Sequence, residues 1–307
     1  MTKTKYLIGT IFLLILLAGL ILFNNQAGAP QNYGSKITVV TSFYPLYYFS
    51  ERIGGDKADV YNITPAGAEP HDYELTARDI ALVESSNLLV LNGRNLEVWG
   101  DNIKKNLNPG QTILVMAGES LISQRTVDGD ENIVDPHVWL SPTLAEEMVD
   151  KILGGFQASD PANISYYTAN AEALKEDLKS LNADYSVGLK NCALKDIITS
   201  HASFGYLALA YDLRQISIAG LSPDAEPSPR EIGEIAKLAK ENGVKYIFFE
   251  SLASPKLSET IATEVGAKTL VLNPLEGLTK ADIQAGKNYF TEMRNNLNNL
   301  KIALECK

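Results

Sequence analysis

The sequence predicts an α/β chain: two (β/α) lobes with mostly parallel sheets, bridged by a long rigid α-helix. Three observations predict it. Short β-branched runs alternate with amphipathic stretches, the pattern of βα units whose parallel strands need helical crossovers. The alternation occurs twice along 307 residues, a length that suits about two domains. Between the two series lies one long segment of helical periodicity.

In the first series, residues 37–41, 60–64, 88–91 and 113–116 read as strands; in the second, residues 197–199, 215–218, 246–249 and 270–272 do, with helical segments such as 229–242 between them. The bridging segment opens at Asp160-Pro161, an N-cap and first-turn pair. Its apolar positions, Ile164, Tyr167, Ala171, Leu174, Leu178, Leu181, Tyr185 and Leu189, step by three and four, while Glu172, Lys175, Glu176 and Lys179 lie elsewhere around the helix. About 28 residues at 1.5 Å each give roughly 42 Å, enough to run along both lobes. The expected boundaries are an N-terminal segment and linker over 1–35, a first lobe over 36–159, the connecting helix over 160–190 and a second lobe over 191–307.

An uncharged apolar run of about 18 residues, Tyr6 to Phe23, follows Lys3 and Lys5. It meets the lower limit for a membrane-spanning helix and exceeds the usual core of a signal peptide. The positive-inside rule keeps both lysines cytoplasmic and places everything after Asn24 on the outer side. Pro30 would follow a cut at Ala27-Gly28-Ala29 and hinder it, so an uncleaved anchor is favoured over a cleaved signal. The only cysteines are Cys192 and Cys306, which leaves none near the apolar run for a lipid anchor. In an exported chain two cysteines favour one disulfide; the alternative is two unrelated thiols.

Net charge is −10, and residues 1–29 hold two lysines and no acid, so the remainder carries −12. That sign excludes a phosphate-backbone binder, and with it nucleic acid as partner. The chemistry gathers on three histidines, each after an expected strand or in a Pro-rich loop: His71 in EPHDYE, His137 in DPHVWL and His201 in SHASFGY. Loops at strand ends are where open α/β sheets collect ligands. Three neutral imidazoles and one oxygen suit tetrahedral zinc better than magnesium or calcium. Glu276, after the last expected strand, is the favoured fourth ligand; Asp224 and Glu226 compete for it or serve at a lobe contact.

Four segments in order, PAGAEPHDYE at 65–74, DPHVWL at 135–140, HASFGY at 201–206 and GLSPDAEPSP at 220–229, resemble the metal-binding proteins of zinc and manganese ABC importers, the cluster A-I solute-binding family (family 9). The resemblance runs from about Ser35 to the C-terminus. It implies two α/β lobes bridged by a long helix, with His71 and His137 contributed by the first lobe, His201 and Glu276 by the second. It implies capture of Zn2+ outside the membrane and delivery to an ABC permease and its ATPase by a monomer that performs no catalysis. Manganese-type relatives place a carboxylate at the position of His201 and usually an Asp at that of Glu276, so zinc is favoured here over Mn2+ or Fe2+.

One departure is the stretch from Gly118 to Val134, which lacks the histidine-rich loop of many zinc members and carries Asp128-Gly129-Asp130-Glu131, read as a solvated tip. Relatives have been described as adhesins, but neither repeats nor an exposed aromatic array supports attachment independently. A zinc hydrolase using Glu276 as base is a remote alternative, without a His-Glu-x-x-His helix or an evident oxyanion partner.

Overall fold

The computed structural model describes residues 36–93, 96–121, 126–127, 130–223 and 227–307. The expected anchor over 6–23, the acids Asp224 and Glu226, and Asp128 and Gly129 of the acidic tip lie outside them. Among the described residues no helix is long and apolar enough to cross a membrane.

Strands β1 (Ile37–Thr41), β2 (Ala58–Asn62), β3 (Leu88–Leu91) and β4 (Ile113–Met116) form one parallel sheet in the order β2-β1-β3-β4. A short antiparallel pair follows, β5 (Thr126–Val127) with β6 (Asp130–Val134). The second parallel sheet repeats the first order, β8-β7-β9-β10, from β7 (Asp196–Thr199), β8 (Arg214–Ser217), β9 (Tyr246–Phe249) and β10 (Lys268–Val271). The run LLVL of β3 is buried on both faces, as a central parallel strand with a helical layer on each side requires.

Two differences from the sequence reading have local causes. β2 begins and ends two residues early because Ala58 pairs with Ile37, and Ile63 and Thr64 then donate to the carbonyls of Thr41 and Ser42 as the chain turns away. The acidic segment also contains a strand the sequence reading did not assign, since Asp130 and Glu131 open β6.

The bridging helix α5 (Ile164–Gly188) follows α1 (Tyr44–Gly54), α2 (Ala77–Ser85), α3 (Gly100–Asn106) and α4 (Pro142–Ser159). Asp160 starts a single 3-10 turn, Pro161–Asn163, and its Oδ2 accepts from Asn163 Nδ2 and Tyr167 Oη, so the α-helix proper begins one turn later than the cap signal suggests. Six of the eight expected apolar positions are fully buried and Leu189 nearly so; Ile164, on the first turn, is exposed. With 25 residues the helix is about 37 Å long. Arg52 of α1 binds Asp177 at 2.8 Å, and Tyr185 Oη donates to the carbonyl of Met293 at 2.7 Å. The second of these ties reaches the last helix of the second lobe. That lobe adds α6 (Gly205–Ala210), α7 (Pro229–Glu241), α8 (Lys256–Val265), α9 (Lys280–Gln284) and α10 (Tyr289–Ala303).

Cys192 and Cys306 form a disulfide. Beside it Leu194 donates to the carbonyl of Leu304 and Lys307 to that of Asn191, so the segment after α10 is stitched back to the entry of β7. The bond closes a span of 114 residues, for which loop-closure entropy alone gives about 4–5 kcal/mol. The double variant Cys192→Ser/Cys306→Ser is expected to lose about 3–5 kcal/mol of unfolding free energy in urea titrations followed by circular dichroism; an unchanged midpoint would contradict this.

Candidate metal centre

Segments that follow the carboxyl ends of strands in both parallel sheets bring side chains to one buried site, the location at which open parallel sheets hold ligands. His201 comes two residues after β7, and Glu250 directly after β9. Glu276 lies five residues beyond β10, and His71 nine beyond β2. His137 sits between β6 and α4, just before the 3-10 turn Val138–Leu140.

The rings of His137 and His201 are aimed by local bonds. Asp135 Oδ1 accepts from both the backbone N–H and Nδ1–H of His137, at 2.9 and 2.7 Å. The same loop is held by Asn92, whose Nδ2 donates to the Pro136 carbonyl, and by Tyr206 Oη, which donates to that of Asp135. Asn92 is fixed in turn by Glu97, a buried carboxylate that accepts from Ser42 Oγ and from the N–H groups of Asn92 and Gly93. Gly93 has φ of 91°, a turn that a side chain would strain. Glu250 Oε1 accepts from Nδ1 of His201 at 2.6 Å. The His201 carbonyl accepts from Thr199 Oγ1 and Gln215 Nε2.

With Nδ1–H committed to a carboxylate, His137 and His201 in the neutral tautomer turn the lone pair of Nε2 inward. Three Nε2 atoms and Glu276 Oε1 converge. His71 to His137 is 3.3 Å, His71 to Glu276 3.3 Å, His137 to Glu276 3.0 Å, His137 to His201 3.3 Å and His201 to Glu276 3.2 Å. Ligands about 2.0–2.1 Å from a tetrahedral ion stand about 3.3 Å apart, so five of the six edges already have the length zinc requires. His71 is 9% exposed and the other three at most 1%, which leaves His71 nearest to solvent.

The electrostatics call for a cation. Oε2 of Glu276 and Oε2 of Glu250 are buried without a hydrogen-bond partner. Buried carboxylates in this number are costly unless positive charge joins them. Burial disfavours a charged imidazole, yet Asp135 and Glu276 outweigh it and hold His137 above its ordinary value. His201 is held well above, against the same burial, by Glu250 and Glu276. Burial alone would raise the Glu276 carboxyl, but the histidines, His201 first, hold it well below the usual range. Glu69, two residues from His71, is pushed up to about 9 by burial and by Glu276.

All four residues singled out in the sequence are thus brought together, and among the described residues they are the only such cluster. Sequence reasoning missed the roles of Asp135 and Glu250. Both had a signal: Asp135 stands two residues before a histidine in DPH, and Glu250 is an acid at the end of a late strand, the criterion applied to Glu276 alone.

The family model described as zinc-uptake complex component A, periplasmic, matches residues 39–303. The chain belongs to this family. The high-affinity zinc uptake system protein ZnuA of Bacillus subtilis is 39% identical over 316 residues, covering 98% of this chain and 97% of that protein. The zinc-binding protein AdcA of Streptococcus pyogenes serotype M1 is 38% identical over 290 residues, 88% of this chain; the chain spans 56% of AdcA's length. The crystal structure of the Zn(II)-bound ZnuA-like domain of Streptococcus pneumoniae AdcA superposes with a TM-score of 0.77 at 39% identity, covering 88% of this chain and 100% of that domain. Two parallel sheets and a long helix are therefore the architecture of this zinc-uptake family.

Carboxylates that orient ligating imidazoles change metal affinity by about 10–100-fold when removed. Glu250→Ala is expected to weaken zinc binding by that factor, while Glu250→Gln, which still accepts from Nδ1, retains more of it. Competition titration against a zinc indicator compares the two; equal losses would deny the hydrogen bond its role.

Proposed function

We propose that this protein captures Zn2+ outside the cytoplasmic membrane and delivers it to the permease of an ABC importer, with His71, His137, His201 and Glu276 as the ligands. The observation that carries the reading is the convergence of three Nε2 atoms and one Oε1 at tetrahedral edge lengths. Nitrogen donors raise affinity for zinc over manganese, in line with the Irving–Williams order. The zinc names carried by the ZnuA and AdcA relatives support the same ion.

A lobe over 36–159 and another over 191–307 close on the ion, and the helix over 160–190 limits how far they part. Residues 6–23 anchor the chain to the membrane, where it works as a monomer beside the permease and its ATPase. No bond of a substrate is made or broken. A hydrolytic site would keep one ligand position open for water, whereas Glu276 here shares the centre with all three histidines.

Competition titration of metal-stripped protein with zinc and manganese is expected to give one tight zinc site, with manganese far weaker. His201→Ala is expected to lower zinc affinity by at least about a hundredfold, as loss of one of four ligands in a closed site implies. Preferential manganese binding, or indifference to His201, would reverse the assignment.

Zinc binding must also release protons. His137 and His201 are held above the ordinary imidazole value of about 6.5, so protons compete with the ion from above that pH downward. Apparent affinity is expected to fall about tenfold per pH unit for each displaced proton as pH drops from 8 to 5. Calorimetry in two buffers of different ionisation enthalpy counts those protons; a flat profile would dismiss the three-histidine centre.

A further inference from the structure

We infer that Trp139 is a positioning residue that ties closure of the lobes to the placement of Glu276, so that parting the lobes withdraws the fourth ligand. The inference rests on the zinc-capture reading and adds how the ion is let go.

Trp139 is fully buried, two residues after His137. It is fixed in the first lobe by packing: its ring meets Phe43 edge-on at 4.6 Å between centroids and lies 5.1 Å from the ring of His137. From there it is gripped twice across the cleft. Its Nε1–H donates to the carbonyl of Pro274 at 2.7 Å, and its own carbonyl accepts from Tyr289 Oη of α10 at 2.6 Å. Pro274 precedes Glu276 by two residues.

The turn that carries Glu276 does not hold itself in place cheaply. Leu275 has φ of 57°, the left-handed region, and is fully buried; a leucine there is disfavoured by about 1–2 kcal/mol. Such a turn persists only where its surroundings overdetermine it. Within the second lobe Asn273 Oδ1 accepts from the N–H of Leu275, and Asn273 exchanges two backbone bonds with the Asn296 amide, at 2.8 and 2.6 Å. The bond from Trp139 is the hold supplied from the first lobe. It falls on the carbonyl immediately before the strained residue.

A hydrogen bond of 2.7 Å does not stretch with a moving lobe; it breaks. Its loss leaves a buried carbonyl unpaired and removes one restraint from a turn that already favours another conformation. Glu276 Oε1 then leaves the three Nε2 atoms, although His137 keeps Asp135 and His201 keeps Glu250. Opening by a small angle is thereby converted into loss of a ligand.

The test is the zinc dissociation rate of the full chain, measured by stopped flow into excess chelator. Trp139→Phe keeps an aromatic side chain but deletes the donor together with part of the indole's buried volume. Tyr289→Phe removes only a hydroxyl and probes the same clasp from its other end without changing core volume. Each is expected to speed dissociation about three- to tenfold, the worth of one buried hydrogen bond. In a Glu276→Ala background, where three imidazoles still retain zinc, both substitutions are expected to change the rate less than about twofold, because the residue they act through is gone. An unchanged rate in both single variants would overturn the clasp. So would an equal acceleration in the Glu276→Ala background, which would place the effect on His137 or on packing. Failure of the unmodified chain to bind zinc would instead bring down the capture reading itself.

Discussion

Four electron-rich atoms held within about 3.3 Å of one another, inside a protein, repel unless something positive joins them. Much of the architecture serves to keep them there. Asp135 and Glu250 fix the imidazole tautomers, the Asn273–Asn296 pair fixes the carboxylate turn, and Glu97 braces the loop behind His137. Preorganisation of this kind is what makes a tight site out of weakly basic ligands.

The price of that arrangement is buried charge. Asp135, Glu250 and Glu276 are all buried, and two of their oxygens lack hydrogen-bond partners. In the absence of metal, protons on His137 and His201 are the available compensation, which is why the same carboxylates that orient those rings also raise their proton affinity. Metal and proton are thus competitors by construction. The site's selectivity for a dication over the solvent proton is set by pH as much as by geometry.

Much of this was legible from the residues. Eight strands were recoverable because central strands such as β3 read as short continuous apolar runs and the edge strands still hold β-branched residues between turn signals, with offsets of one or two residues at β2, β7, β8 and β10, where backbone pairing and not side-chain pattern decides the ends. The bridging helix was visible because its stripe from Tyr167 to Leu189 is one buried face. The ligands were visible because histidine is rare in this chain and each copy falls at a loop edge. Less legible was everything that depends on contacts far apart in sequence. Glu250 meets His201 from 49 residues away, and Trp139 meets Pro274 from 135. The left-handed Leu275 carries no glycine or asparagine to announce it. The β5–β6 pair was missed because a two-residue strand has no period to read.

The repeated strand order of the two sheets has a further consequence. The four convergent side chains divide by position along the chain, His71 and His137 before the bridging helix and His201 and Glu276 after it. Taken separately, each side is a two-toothed chelator of the kind that binds zinc only loosely. Brought together, each raises the effective concentration of the other, and avidity supplies strength that neither half possesses. Under the proposed parting of the lobes, retention and surrender would belong to one molecule at two spacings, and nothing would have to destroy the site in order to empty it.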